Sequence, residues 1–432
     1  MYELIILGVF ALTIIGCMLA GLSIIYALIF GLLMFSLYSL KIGYAPRQVF
    51  EMYKNGIKPL TPMFVNIILI GIMTAFWKAG GTIPAIIYYA SNLLNPEIIL
   101  LLSFWLCCIV SVLTGAAFIT AATMGIICIT AAIGMGVPAL YAGGAILSGV
   151  YFGNRCSHLS NSAVLISTLT ATNITYNIKN MIRTSKIPFA LASLFYLILG
   201  FVITPTAAVD VEQIFNNSFE INLYLLLPAL LIIIFSLLRW NVQRIMIISI
   251  IASAACTLWI QDNSAAEVLT FAISGYQPYD METAEILSGG GIISILNVFA
   301  IACISACYAG IFYSTNLLNN LDKLLIWAEQ KFKSFGVIAL ISVVTAALSC
   351  NQTLTIMLTH QFCKDVEQKP NILALSLANT AVVIPALIPW SVAAVLPLTL
   401  ISAPSESILF AFYLYLLPLV NFKTKWFNRE LV

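Results

Sequence analysis

The sequence predicts an all-α integral membrane protein made of two inverted repeats, each with a re-entrant hairpin and a broken transmembrane helix. Three observations lead there. Of 432 residues, 61% are hydrophobic and only 8% charged, against about 25% charged in a soluble globular domain. Apolar stretches near the ~20 residues that span a bilayer recur along the whole chain. The charges also segregate. The segments 41–58, 171–186, 239–244, 322–333, 364–369 and the tail 423–429 hold 17 of the 19 Lys and Arg. The loops near 205–220 and 261–289 hold Asp210, Glu212, Glu220, Asp262, Glu267, Asp280, Glu282 and Glu285, and no basic residue. Excess Lys and Arg in short loops marks the cytoplasmic side, so both termini of this multi-pass chain are expected there, in the plasma membrane.

Taken in order, fully apolar spans read at about 4–20, 22–40 and 61–77. The first follows Met1-Tyr2-Glu3 with no basic segment ahead of it, so an uncleaved helix is expected. Residues 98–135 are apolar but interrupted at Thr114-Gly115, and 138–170 are interrupted between Gly153 and Ser162. A span at 187–204 closes the first repeat (1–204), and 205–220 forms an external linker. The second repeat (221–432) reads alike. Spans at 221–238, 245–260 and 291–313 precede a stretch, 335–363, interrupted at Ser349-Cys350-Asn351-Gln352-Thr353. Then 371–403 is broken around Pro385–Trp390, and 407–420 is the last span before a cytoplasmic tail.

Polar or Pro/Gly-broken backbone at membrane depth is tolerated only where it is buried in protein or lines a cavity. The charge pattern closes only if 98–135 and 335–363 are re-entrant hairpins while 138–170 and 371–403 cross. Spacing agrees, since 39 residues separate Gly115 from Asn154 and 39 separate Asn351 from Trp390. Inverted repeats whose broken helices meet near the midplane are the architecture of many secondary transporters. Merely kinked helices are the alternative.

Other classes find little support. Net charge is +2, which suggests no nucleic-acid partner. Cys107, Cys108, Cys303 and Cys307 lie inside apolar spans and read as small buried hydrophobes. No CxxC, HExxH, Walker A or dinucleotide fingerprint occurs, so an ATP-driven pump or an enzyme is not expected. An intramembrane protease of the paired-Asp kind lacks its acids, and a channel would show non-saturating flux.

At its motif residues the chain resembles the NhaC-type Na+/H+ antiporter family, from Gly56-Ile57-Lys58 to Pro389-Trp390. Gly81-Thr82-Ile83-Pro84 is similar to that family's G-T-[VI]-P, and Thr114-Gly115 to its T-G-S-S-W. The run Gly149-Val150-Tyr151-Phe152-Gly153-Asn154-Arg155-Cys156-Ser157 is similar to G-x-Y-F-G-D-[KR]-x-S. Asn351-Gln352 and Leu387-Ile388-Pro389-Trp390 are similar to G-N-Q and L-I-P-W. The resemblance implies antiport of Na+ and H+, or carriage of small organic anions such as malate and lactate. At each departure where the family has an acid, this chain has a neutral residue. Asn154 stands where the family has an acid, Asn161 where it often has a second acid or a Ser, Ala378-Asn379 where it has an acidic pair, and Ala116-Ala117 where it has serines. His158 replaces a Pro.

No Asp or Glu occurs between Glu97 and Asp210, Glu329 and Asp365, or Glu367 and Glu406. A proton-for-cation exchanger most simply uses an intramembrane carboxylate, and the interrupted segments supply none. What remains is neutral oxygen at Thr114, Asn154, Ser157, Ser160, Asn161, Asn351 and Thr353, with Gly115, Gln352 and Asn379 beside them. Hard cations prefer such ligands, so a bound Na+ is expected at Thr114, Asn154 and Asn351, and no other cofactor. Capping and helix packing are the bland alternatives. Arg155, deep in the apolar part, either clamps a substrate carboxylate, stands in for a cation, or bonds backbone carbonyls and snorkels. His158 titrates near neutral pH and either carries a proton or packs as a neutral hydrogen-bonder. Lys78 is expected to snorkel to the interface, and His360 to be structural. Partners are a small ion or solute and the bilayer, with a homodimer as one assembly the architecture allows.

Overall fold

The computed structural model describes residues 2–20, 22–58, 61–93, 95–203, 219–238, 240–278, 280, 283–284, 287–315, 327 and 329–423. Nearly all of the linker 205–220, part of the segment 322–333 and the tail beyond Lys423 lie outside the described residues.

Helix α1 (Tyr2–Leu19) turns at Ser23, whose hydroxyl accepts the Ile25 N–H and starts α2 (Ile24–Ile42). The basic stretch 41–58, read as a loop, is mostly an amphipathic helix, α3 (Pro46–Ile57), opened by a proline at a position that needs no N–H. Its Gly56 lies so close to the later helix Leu296–Thr315 that a Cβ there would meet the Ala306 carbonyl oxygen at 2.0 Å. Small residues allow such backbone contact in membrane helices.

The next span departs from its expected form. Helix α4 (Thr61–Ala79) does not simply end; it bends by 66° into α5 (Thr82–Leu93). Gly80-Gly81 makes the bend, with Gly81 at φ +78, a conformation open mainly to glycine. The apolar run hides this break because both sides of it are hydrophobic.

The interrupted stretch 98–135 forms two arms, α6 (Pro96–Thr114) and α7 (Ala117–Gly134), the latter with a π-helical turn at Ala121–Gly125. Then come α8 (Ala139–Cys156) and α9 (Asn161–Leu169), with Ser157–Ser160 between them. Helices α6 and α8 run parallel in close contact: a Cβ on Gly149 would meet Phe104 O at 2.7 Å, and one on Gly153 would meet the Ser111 carbonyl carbon at 2.1 Å. Helix α10 (Ile174–Val202) has 29 residues, about 43 Å at 1.5 Å per residue. It corrects the sequence reading, in which 171–186 was a loop and 187–204 a separate span. Asn173 accepts the Tyr176 N–H and nucleates the helix early, so Lys179, Arg183 and Lys186 ride on its first half.

The second half holds α11 (Leu227–Leu237), α12 (Val242–Trp259), α13 (Ala265–Ser274, inside the acidic stretch 261–289) and α14 (Leu296–Thr315). It continues with α15 (Ser334–Ser349), α16 (Gln352–Cys363), α17 (Pro370–Asn379), α18 (Val392–Leu400) and α19 (Phe412–Lys423). Among the described residues, five stretches are long and apolar enough to cross a bilayer: 25–42, 96–114, 117–134, 174–202 and 370–387; the bent pair α4–α5 makes a sixth. The fold is therefore all-α and multi-pass. One large apolar cluster joins both halves, from Phe10 and Trp77 through Tyr151 and Tyr196 to Tyr413.

Candidate functional site

Both interrupted stretches fold back on themselves through a single left-handed residue. Helix α6 ends on Gly115 (φ +71), whose N–H bonds Ser111 O, and α15 ends on Cys350 (φ +54), whose N–H bonds Ala346 O. Hydroxyls six residues apart then tie each tip together, Thr114 to Thr120 at 2.9 Å and Ser349 to Thr355 at 2.8 Å. The first tip rests on the first break, where a Cβ on Gly115 would meet the Leu159 carbonyl carbon at 2.5 Å. The second tip rests on the second break. Cys350 O accepts the Val392 N–H at 2.9 Å, and the Trp390 indole N–H donates to Ala347 O at 2.9 Å.

At the first break Ser160 caps α9, accepting from the N–H groups of Ser162 and Ala163, while its own hydroxyl donates to Asn154 O. At the second, α17 stops at Asn379, a 3-10 turn occupies Ile384–Leu387, and Ser391 caps α18. Gln352 joins the two breaks. Its Oε1 accepts from Asn154 Nδ2 at 3.3 Å and Ser162 Oγ at 3.2 Å, and its Nε2 donates to Val382 O at 2.7 Å. The starts of α9 and α16 thus meet the ends of α8 and α17. Helix starts carry partial positive charge and helix ends partial negative charge, so this junction offers polarity of both signs without an ionised carboxylate.

Arg155, next to Asn154, is fully buried. Nη1 donates to Ser185 Oγ and to Tyr413 Oη at 3.0 Å, and contacts Cys156 Sγ. Nη2 donates to Met181 O at 2.9 Å, Thr184 Oγ1 at 2.8 Å and Asn379 Oδ1. Every partner is neutral. One of these partners, Met181 O, is a backbone carbonyl, and the other oxygens belong to side chains. The guanidinium braces α8 against α10, α17 and α19, so it links the first break to the second. Charge-assisted bonds worth about 1.5–3 kcal/mol each offset its desolvation, which costs several kcal/mol. Its Nε and Asn379 Nδ2 are buried without partners.

The Na+/H+ antiporter family matches residues 149–427, a range that holds both breaks and the second tip. The chain belongs to that family. It is similar to the Malate-2H(+)/Na(+)-lactate antiporter of Bacillus subtilis (strain 168), 26% identical over 375 residues, covering 84% of this chain and 79% of the relative. It is also similar to Na(+)/H(+) antiporter NhaC of that organism, 26% identical over 383 residues, with 85% and 83% covered. A third relative is the Arginine/ornithine antiporter ArcD of Halobacterium salinarum (strain ATCC 700922 / JCM 11081 / NRC-1), 24% identical over 388 residues, with 85% and 79% covered. The protein is thus a secondary transporter of this family that couples cations to the movement of solute.

Within the protein the residues singled out from sequence separate into groups. Asn154 and Gln352 bond each other, and Asn351 stands beside them as the cap of α16, accepting from Thr353 N at 2.9 Å and Leu354 N at 3.3 Å. Ser157 is buried and accepts the Leu159 N–H. His158, Asn161 and Thr353 are exposed. Thr114 belongs to the other tip and bonds Thr120. Asn379 is engaged by Arg155. Sequence reasoning missed Ser162, the Val382 carbonyl, and the Thr184-Ser185 pair with Tyr413. The hydroxyl pair was the visible signal, in a stretch read only for its charge. Among the described residues no group of three or more His, Cys, Asp and Glu gathers as a metal site.

Proposed function

We propose that this transporter works by alternating access and couples the movement of a small solute bearing a carboxylate to Na+, with little Na+/H+ exchange. One observation carries the reading: Arg155 is a buried cation whose partners are all neutral, beside a helix-break junction with no carboxylate. An uncompensated positive charge favours an anion nearby. At about 10 Å and an effective dielectric constant of about 20 the attraction is about 1.7 kcal/mol, enough for roughly a tenfold preference. Arg155 acts here through its field and its bracing, not as a direct clamp. The carboxylate in turn supplies the negative charge that neutral Asn154, Ser162 and Gln352 lack, so binding of solute and Na+ is coupled. A relative named for malate and lactate supports an organic anion as cargo.

The same reading makes 1–204 and 221–432 inverted repeats, with both termini cytoplasmic in the plasma membrane. The matching left-handed tips and hydroxyl pairs support it. Single-cysteine labelling should reach the segment 261–289 from outside and 364–369 from inside; labelling of both from one face would overturn the arrangement.

Proteoliposomes test the cargo. Uptake and counterflow of carboxylates should require Na+ and vary little with pH. Robust pH-dependent Na+ exchange with no organic solute present would sink the proposal. Asn154→Asp should raise proton-linked cation exchange, because it restores a group that both holds Na+ and takes up its competitor.

A further inference from the structure

A cavity with a few polar groups in a mainly apolar lining lies at the end of α4. It encloses about 70 Å³ between the α4–α5 bend, α7 and the end of α18. Thr74, Lys78, Thr130 and Ser402 are its polar lining, against an apolar wall that includes Ile126 and Ile401. Lys78 does not simply reach for the membrane surface. Its ammonium donates to Ser288 O at 2.6 Å, which uses one of three N–H groups. Among the described residues no carboxylate lies within ion-pair distance of it; the ion pair they hold is Lys54–Glu51 on α3. At the rim stands Ser402, exposed and held at φ +54, a conformation that costs a non-glycine residue about 1–2 kcal/mol.

The wall between the cavity and the first hairpin tip is the π-helical turn Ala121–Gly125, packed so that a Cβ on Gly125 would meet Ile401 Cγ2 at 3.0 Å. Such turns recur at functional sites. Hydroxyls recur along α7. Thr120 bonds Thr114 at the tip, Thr123 is buried in the π turn, and Thr130 opens into the cavity.

We infer that the Lys78 cavity is an anteroom subsite, where the carboxylate of the solute is held before it passes along the α7 threonines to the helix breaks. The inference rests on the reading that the cargo carries a carboxylate. An ammonium that keeps N–H groups beyond its bond to Ser288 O, in a cavity also lined by Thr74 and Thr130, suits an anionic oxygen and repels a bare cation. The volume fits a carboxyl group or a few waters, at about 30 Å³ per water, so the remainder of a larger solute would project through the mouth at Ser402. The subsite serves one face only, the end of α4 remote from the Lys- and Arg-bearing segment 41–58.

The test is transport of a malate and lactate panel by the full chain in liposomes of known orientation, with KM and maximal rate measured from each face. Lys78→Gln and Thr130→Val should raise KM for carboxylates about tenfold and about threefold, as expected for a lost charged and a lost neutral hydrogen bond. The effect should appear from the Lys78 face alone, with maximal rate little changed. Lys78→Arg keeps the charge and should restore KM to within about twofold of the parent. Lower maximal rates for Gln and Arg alike, at unchanged KM, would make Lys78 a brace for Ser288 and overturn the inference. Equal KM changes from both faces would overturn it too. If the parent itself takes up no carboxylate, the proposed cargo fails and the anteroom with it, an outcome distinct from a working parent with an indifferent Lys78.

Discussion

The two hairpin tips share a backbone trace but divide the work. The first places Gly115 against the Leu159 backbone with no room for a Cβ, and its flanking Ala116 caps α7 with no side-chain bond. The second tolerates a buried Cys at the same left-handed position, caps α16 with Asn351, and sends Gln352 across to both breaks. One tip is a packing device; the other is where hydrogen-bond chemistry converges. A repeated architecture thus keeps its geometry by backbone conformation while side chains differentiate the halves. It follows that the same kind of substitution should act on stability at one tip and on transport at the other.

The largest effect expected from that contrast is at Gly115. Gly115→Val adds a Cβ 2.5 Å from a carbonyl carbon at φ +71. A loss of about 3 kcal/mol or more is expected, read as loss of the monodisperse transporter on heating in detergent. A Gly115 variant that melts like the parent would show that the first tip does not pack on the break. Next comes Gln352→Leu, which strands polar atoms of Asn154, Ser162 and Val382. Each stranded buried group costs about 1–3 kcal/mol, and transport should fall by tenfold or more. Thr114→Val, at the other tip, should change transport by no more than about threefold, since its hydroxyl bonds only within its own tip. Equal losses for the two would erase the distinction.

Smaller effects sharpen it. Asn351→Ala removes a helix cap and should cost about 1 kcal/mol, whereas Ala116→Asn supplies the missing cap to α7 and should recover part of that amount. Smallest is Cys350→Gly. Relief of the left-handed strain, about 1 kcal/mol, is largely offset by the backbone entropy glycine loses on folding, so melting should shift by only a few degrees.

Much of this was legible from sequence because its causes are local. Transfer of apolar side chains out of water depends on composition alone, so the membrane class and the many apolar spans were set by the 61% hydrophobic content. Interruptions at Thr114-Gly115 and at Ser349–Thr353 announce themselves because a left-handed cap or an N-cap needs particular residues. The acid-free interior is likewise a property of the chain as written.

Other features escaped because hydropathy does not report them. The 66° bend at Gly80-Gly81 lies in a run that is apolar on both sides, and α12 fills it from a distance of over 170 residues, through Ser253. Helix α10 begins at Ile174 because Asn173 caps it, although its first half carries the charges of a loop. Hydropathy measures the preference of side chains for lipid; helix continuation depends on backbone hydrogen bonds and their caps. The fate of Arg155 was decided last. Sequence could say that a cation stood beside Asn154, but its ring of neutral oxygens comes from α10, α17 and α19. Lys78 is the same case, since its cavity exists only where α4, α7 and α18 close around it. A charged group's meaning is fixed by what solvates it, and in a bilayer the solvating atoms come from remote parts of the chain.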